Sequence, residues 1–236
     1  MKPTKNIVPR HVGIILDGNR RFSKKLMAKP WKGHEWGAKK VEKVATWAKQ
    51  LGIKEITLYA FSIENFNRPK QEFDYLMRLF KKECNRILSD KKVKKDKIRI
   101  NFIGRIDMFP RDVYDKMQKV MTVTKDHDKY IMNFAMAYGG RTEVIDATKK
   151  IADQIKKGKL DIDSINEEVF KKNLYIDSEP DLVIRTGGEK RTSNFLIWQA
   201  NYAEWIFLEK TWPEFEKQDL IEALQEYKAR ERRFGR

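Results

Sequence analysis

The chain has 236 residues, 41% hydrophobic and 36% charged, with a net charge of +16. This length fills one large core, the balance is that of a soluble globular protein, and no run approaches the ~18–20 apolar residues that cross a bilayer. A lone cysteine, Cys84, excludes an internal disulfide, and no apolar segment backs residues 1–6 as a secretory signal requires, so a reducing, cytoplasmic setting is expected.

In chain order, the first apolar run, 13–16, is predicted as a buried strand that ends in Asp17-Gly18-Asn19-Arg20-Arg21. Gly37, Val41, Val44, Ala48 and Leu51 then recur at helical spacing, with Gly52 placed to close the helix. A second strand, 56–61, runs into Ser62-Ile63-Glu64-Asn65-Phe66-Asn67-Arg68. Phe73, Leu76, Met77, Phe80, Cys84, Ile87 and Leu88 stripe the next helix, with Cys84 as a core filler. Residues 91–97, five of them lysine, read as a loop before a third strand, 98–103. Val113, Met117, Val120, Met121 and Thr124 form a helical stripe, followed by an exposed His127 and a fourth strand, 130–137. Val144, Ile145, Thr148, Ile151, Ala152 and Ile155 form another, closed by Gly158, and Ser164 to Glu167 has the capping-box spacing that opens a short helix. The fifth strand, 182–185, leads into Thr186-Gly187-Gly188-Glu189-Lys190-Arg191-Thr192-Ser193-Asn194, and a sixth spans 205–208. Leu220, Ile221, Leu224 and Tyr227 stripe a last helix that runs into a basic tail.

Strands alternate with helices, and most strand runs are apolar throughout rather than at every second residue. That pattern predicts an α/β fold: one domain over residues 1–236, with a six-stranded, largely parallel sheet flanked by helices. In such sheets ligands bind at the carboxyl ends of strands. Three of those ends carry arginines, small polar groups and one carboxylate. Guanidinium forks, a serine hydroxyl and free backbone N–H groups suit phosphate oxygens. Asp17 reads either as a turn residue before Gly-Asn or as a Mg²⁺ ligand, since Mg²⁺ takes one or two carboxylates plus phosphate oxygens and waters. Arg20 and Arg21 beside it favour the metal.

Other chemistries lose ground. The chain has no Walker loop, no Gly-x-Gly-x-x-Gly and no closely spaced His or Cys pair for zinc. His11 precedes a strand and reads as structural; His34 opens a helix after Gly33 and either faces a phosphate or packs. Phe22, Trp31, Trp36, Phe61, Phe66, Phe195, Trp198, Tyr202 and Trp205 read mainly as core, with the alternative of an apolar wall beside a polar head site. Glu204, set between Ala203 and Trp205, calls for an arginine or metal partner. Residues 1–50 hold thirteen Lys/Arg against three Asp/Glu, a surplus that suits polyanions, anionic lipid or diphosphates, or is a solvated surface.

Together these stretches resemble the cis-prenyltransferases, the undecaprenyl and dehydrodolichyl diphosphate synthases. The resemblance rests on residues 11–21, 58–69 and 181–195, with Trp198-Gln199 and Tyr202-Ala203-Glu204 following. Gly33-His34, Tyr138-Gly139-Gly140-Arg141, Trp212-Pro213 and Arg230-Glu231-Arg232-Arg233-Phe234-Gly235 fit as well. Asp17-Gly18-Asn19-Arg20-Arg21-Phe22 is similar to the archaeal and eukaryotic branch, in which Arg20 replaces a glycine and Phe22 a tryptophan. Phe66 replaces a second tryptophan, and Pro30 stands where many members carry a phosphate-binding arginine, a charge that Lys29 or Lys32 would supply instead. The Asp-Asp-x-x-Asp motif of the trans-prenyl synthases is absent.

The resemblance implies Mg²⁺-dependent condensation of isopentenyl diphosphate onto an allylic prenyl diphosphate, farnesyl or geranylgeranyl. The product is a long-chain cis-polyprenyl diphosphate, precursor of a lipid glycosyl carrier, grown in an apolar tunnel. It also implies a homodimer in peripheral contact with membrane lipids. Asp17 and Glu204 would hold the metal, and Asn65 would sit beside the reacting carbons. Gly18, Asn19, Arg20, Arg21 and Phe22 would hold the allylic diphosphate; Arg185, Arg191, Thr192 and Ser193 the isopentenyl diphosphate. His34, Ser62, Ile63, Glu64, Phe66 and Arg68 would line the same site. Rival readings are an inactive partner subunit, disfavoured because the motif residues are all present, and a nucleic-acid binder, for which no recognition motif is found.

Overall fold

The structure, a computed structural model, describes residues 8–29 and 31–230. Its centre is a six-stranded, wholly parallel sheet: β1 (His11–Ile15), β2 (Glu55–Ser62), β3 (Ile98–Ile103), β4 (Tyr130–Tyr138), β5 (Leu182–Arg185) and β6 (Glu204–Phe207), in the order β3-β4-β2-β1-β5-β6. The predicted strands are all present, β3 and β5 with the expected bounds and the other four displaced at an end by one or two residues. The helices are α1 (Asn19–Lys25), α2 (Lys32–Gln50), α3 (Lys70–Ser89), α4 (Lys91–Lys95), α5 (Arg111–Thr124), α6 (Gly140–Lys156), α7 (Glu167–Asn173) and α8 (Lys217–Ala229).

Strands buried on both faces read as continuous apolar runs because neighbouring side chains enter different cores. Ile14 and Ile184 enter the larger core with Val44, Ala48, Leu76, Met117 and Leu220; Ile15 and Val183 enter a smaller one with Tyr59, Tyr138, Phe195 and Leu196. A side chain on Gly13 would meet the Phe195 ring at 3.1 Å, so its small size admits that ring to the second core. Cys84 is 3% exposed in the first core, where burial raises its thiol to about 12. It fills space, as expected.

Four local expectations need correction. Residues 91–95 form a helical turn, α4, because the Asp90 carboxylate caps it by accepting from Lys92 N–H at 2.8 Å. Asn166, not Ser164, caps α7, accepting from Val169 N–H at 3.0 Å. His127 is half-buried, its Nδ1 2.8 Å from the Ile98 carbonyl, which fastens the turn before β4. Tyr202 is 68% exposed and Trp198 37%, so neither is core.

Candidate active site

The connection from β1 runs to β2 on one side, whereas that from β5 runs to β6 on the other. The carboxyl ends of β1 and β5 therefore diverge at a topological switch point, the place where open α/β sheets bind ligands. Ile15 pairs with Arg185 there, which sets Asp17 and the 186–194 loop against each other.

Arg185 is 3% exposed. Its Nη2 donates to Asp17 Oδ2 at 2.9 Å, and its Nη1 donates to Ser193 Oγ at 2.7 Å and to the Arg191 carbonyl. The other Asp17 oxygen accepts from Gly18 N–H at 2.6 Å and from Arg21 Nη2 at 3.0 Å. Partial burial works against ionisation of Asp17, but the hydrogen bonds from Arg185 and Arg21 outweigh it and hold the carboxyl below the ordinary carboxylate range. The Asp17 backbone is pinned by Thr186 Oγ1, which accepts its N–H at 3.1 Å, and by Trp212 N–H, which donates to its carbonyl at 2.8 Å.

Two glycines make this geometry possible. Gly187 has φ +91°, and a Cβ there would lie 2.7 Å from Arg21 Nη2, so a side chain would push Arg21 off Asp17. A Cβ on Gly33 would come within 1.9 Å of the Asn19 carbonyl oxygen, so only glycine lets α2 pack against the start of α1. Arg191 is exposed and its guanidinium meets Glu189 at 2.5 Å; the same carboxylate lies 3.9 Å from Arg21. Thr192 and Ser193 are exposed beside it.

Arg20, His34 and Arg68 gather about Glu72, which belongs to none of the strand-end motifs. Glu72 is 3% exposed; Arg68 Nη1 donates to it at 2.7 Å, His34 Nε2 lies at 3.3 Å and Arg20 Nε at 3.9 Å. Hydrogen bonding to His34, with help from the Arg68 charge, overcomes burial and holds the Glu72 carboxyl at about 2. Burial and the nearby Arg68 lower the His34 pKa, so the ring is neutral at neutral pH. His34 thus faces a carboxylate rather than an open anion site. The signal was there in outline, since Arg68 and Glu72 are four residues apart at a helix start.

After β2, Ser62 to Asn65 form a reciprocal cap: Ser62 N–H donates to Asn65 Oδ1 at 3.1 Å. Ser62 and the exposed Glu64 face Ser193 and Asn194 across an open recess. Asn194 is fixed by Gly140 N–H, which donates to its carbonyl at 2.7 Å, and by Arg141 N–H, which donates to its Oδ1 at 2.8 Å. Ile63 is half-buried in this turn; Phe66 packs on Phe61, Phe73 and Phe109 and is a core residue first. Phe22 meets Trp36 edge-on.

Glu204 is the clear misfit. It starts β6 in register with Leu182, so it stands at the amino end of the sheet, opposite Asp17. Its carboxylate accepts from Arg230 Nη1 at 2.7 Å. One chain therefore does not assemble a metal site from Asp17 and Glu204 together; Glu204 found the arginine partner its burial calls for. The C-terminal motif from Arg233 to Gly235, and Pro30, lie outside the described residues.

Beside Asn19, a cavity of about 110 Å³ lies between α2, α3 and the sheet, polar at Asn19, His34 and Arg68 and mostly apolar beyond. A second cavity, about 340 Å³, shares Val41, Arg86, Ile87 and Phe134 with it and reaches Lys54, Ile98 and Tyr130 at the amino ends of β2, β3 and β4.

Asp17 fits a Mg²⁺ ion, being an ionised carboxylate at a strand end with arginines placed to bring in diphosphate oxygens, the remaining ligands Mg²⁺ prefers. No cluster of three or more His, Cys, Asp or Glu side chains suited to a metal occurs among the described residues, so the chain would supply few ligands of its own.

Residues 15–235 match the family model for undecaprenyl diphosphate synthase. A tritrans,polycis-undecaprenyl-diphosphate synthase (geranylgeranyl-diphosphate specific) of Pyrococcus horikoshii is 45% identical, over 100% of this chain and 90% of that protein. The enzyme of the same name from Methanocaldococcus jannaschii is 44% identical, over 98% and 84%. Among solved structures, lavandulyl diphosphate synthase from Lavandula x intermedia, in complex with dimethylallyl diphosphate, superposes with a TM-score of 0.89 at 34% identity, covering 97% of this chain and 98% of that one. A probable undecaprenyl diphosphate synthase from Campylobacter jejuni gives 0.81 at 33% identity, over 98% and 100%. The strand-end loops, the switch-point site and these likenesses along the whole chain agree: it belongs to the archaeal-type branch of the cis-prenyltransferase family, a family of transferases.

Proposed function

We propose that this chain condenses isopentenyl diphosphate repeatedly onto farnesyl or geranylgeranyl diphosphate and makes a long-chain cis-polyprenyl diphosphate for a lipid glycosyl carrier. The observation that carries this reading is the convergence of Asp17, Arg21, Arg185 and Ser193 at the β1–β5 switch point, next to a mostly apolar cavity between α2, α3 and the sheet. The relatives named for geranylgeranyl diphosphate make that primer the first choice.

In each cycle the C1–O bond of the allylic diphosphate breaks, and pyrophosphate leaves with the electron pair. C4 of isopentenyl diphosphate bonds to C1, and a proton leaves C2 to form the new cis double bond. Arg21 and the N–H groups at the start of α1 would hold the allylic diphosphate and take up the charge that develops on it. Arg191, Ser193 and the loop ordered by Arg185 would hold isopentenyl diphosphate in line with C1. Asn65, anchored on Ser62, would border the reacting carbons. Bound at Asp17, Mg²⁺ would neutralise charge on the leaving pyrophosphate. The lining between α2 and α3 would keep water from the cationic carbon. A homodimer, bound at a membrane face, completes the proposal.

The test is incubation with labelled isopentenyl diphosphate, Mg²⁺ and primers of several lengths, with the products sized by chromatography. Incorporation of several units onto farnesyl or geranylgeranyl diphosphate is expected; a single addition, or none with any primer, would refute elongation.

A further inference from the structure

The second cavity opens on a surface that the chemistry at the other end of the sheet does not use. Its lining includes Lys92, Val93, Lys95 and Asp96, from α4 and the residue after it, at the amino ends of the strands. Val93 is half-buried and packs on the larger core, which leaves Lys91, Lys92, Lys94 and Lys95 exposed. None of these four has an ion-pair partner among the described residues. The nearby carboxylates are engaged: Asp90 caps α4, and Asp96 is held by Lys49 at 2.5 Å. Arg99 adds another exposed cation on the adjoining chain, whereas Lys97 lies 3.9 Å from the Asp128 carboxylate. Lys54, also in the lining, lies 5.2 Å above the Tyr130 ring at the same end. Unbalanced positive charge therefore sits beside the end of the cavities farthest from Asp17.

The lining of this cavity mixes apolar side chains such as Ile53, Ile56 and Ile100 with charged ones such as Lys49, Lys54 and Arg86, and a polyprenyl tail that outgrew the first cavity would emerge beside the α4 lysines. We propose that α4 docks on an anionic lipid surface, so that this end of the cavities faces the bilayer and the growing tail passes into it. The partner is a membrane carrying acidic headgroups, recognised by the four lysines. This inference rests on the elongating function only for its purpose; attachment itself is measured without turnover.

The experiment is sedimentation of the full chain with vesicles of phosphatidylglycerol and phosphatidylcholine, or of phosphatidylcholine alone, at 0.1 M salt. Each lysine near an acidic surface strengthens attachment about fivefold, so replacing Lys91, Lys92, Lys94 and Lys95 by Gln should weaken it by roughly a hundredfold or more. A control with Lys149, Lys156, Lys159 and Lys172 replaced by Gln, equal in charge but on α6, α7 and the turn after α6, should lose far less. Single-condensation turnover in solution should be unchanged in the α4 variant. Equal loss in the two variants would reduce the effect to net charge and overturn the proposal. So would binding that ignores acidic lipid, binding abolished by inorganic phosphate at matched ionic strength, or α4-dependent binding to random oligonucleotides with vesicle binding intact. Vesicle binding as expected without any turnover would leave the docking surface standing and sink the proposed function instead.

Discussion

Replacing Asp17 separates the chemical role of its carboxylate from its structural one. In the sequence alone, Asp17→Ala looks like a clean loss of a metal ligand with the fold left intact. The structure adds a cost, because Asp17 is a partner of Arg185, whose guanidinium is 3% exposed. Breaking a fully buried ion pair from one side costs about 3–5 kcal/mol. Here Ser193 Oγ and the Arg191 carbonyl still hold Nη1, and Asp17 itself is 28% exposed, so about 2–3 kcal/mol is the working figure. At roughly 2–4 °C per kcal/mol for a chain of this size, Asp17→Ala should melt about 4–12 °C lower. Asp17→Asn keeps the shape and one acceptor oxygen, so it should lose less, and its fold is the better background for kinetics. Both variants should lose about 10²–10⁴ in turnover, equivalent to ~3–5 kcal/mol of barrier. The folded pKa of Asp17 is depressed, so its pairing is at full strength at neutral pH and is lost only as pH falls through that value. The assay is steady-state kinetics at saturating Mg²⁺ beside a thermal melt. Near-normal turnover in Asp17→Asn would refute the metal role, and an Asp17→Ala melt equal to wild type would refute the structural one.

Replacing Arg191 by Ala should chiefly raise KM for isopentenyl diphosphate, and replacing Arg21 chiefly that for the allylic primer, each by a contact of roughly 1.5–3 kcal/mol; equal effects on both substrates in both variants would contradict the division. Glu72→Gln should cost about 3 kcal/mol at pH 7, because its carboxyl is held at about 2 in the fold against 4.5 otherwise. That contribution is complete above about 4.5 and disappears as pH falls towards 2, so urea midpoints of wild type and variant should converge over that window; a constant gap would refute the pairing. Val41→Phe, at the waist shared by the two cavities, should shorten the product while leaving the first condensation near normal, as read by chromatography. An unchanged product distribution would take growth out of this path.

The strands and the long helices were legible because burial on two faces leaves continuous apolar runs and burial on one leaves a stripe at 3/4 spacing. The strand-end motifs were legible too, and the switch point explains why Asp17 and Arg185, distant in sequence, meet. What one chain of letters withheld was partnership. Glu204 is compatible with a metal or an arginine, and only the register of β6 places it beside Arg230 at the wrong end of the sheet. Glu72 looked like one more helical acid until packing buried it among His34, Arg68 and Arg20. Trp212 pins Asp17 through its own backbone N–H, a role that leaves no mark on residue type, and Thr186 does so through a hydroxyl whose partner is a backbone group far away in the sequence. Asp90 turned an apparent lysine loop into α4 through a single cap.

The most direct test of the account is the geometry of the bonds the protein makes. With geranylgeranyl diphosphate as sole primer and excess ¹³C-labelled isopentenyl diphosphate, NMR of the purified product reports how many units were added and the configuration of each new double bond. The account predicts several additions, every new bond cis and the primer's own bonds unchanged. New trans bonds, or a product that stops after one addition, would contradict it.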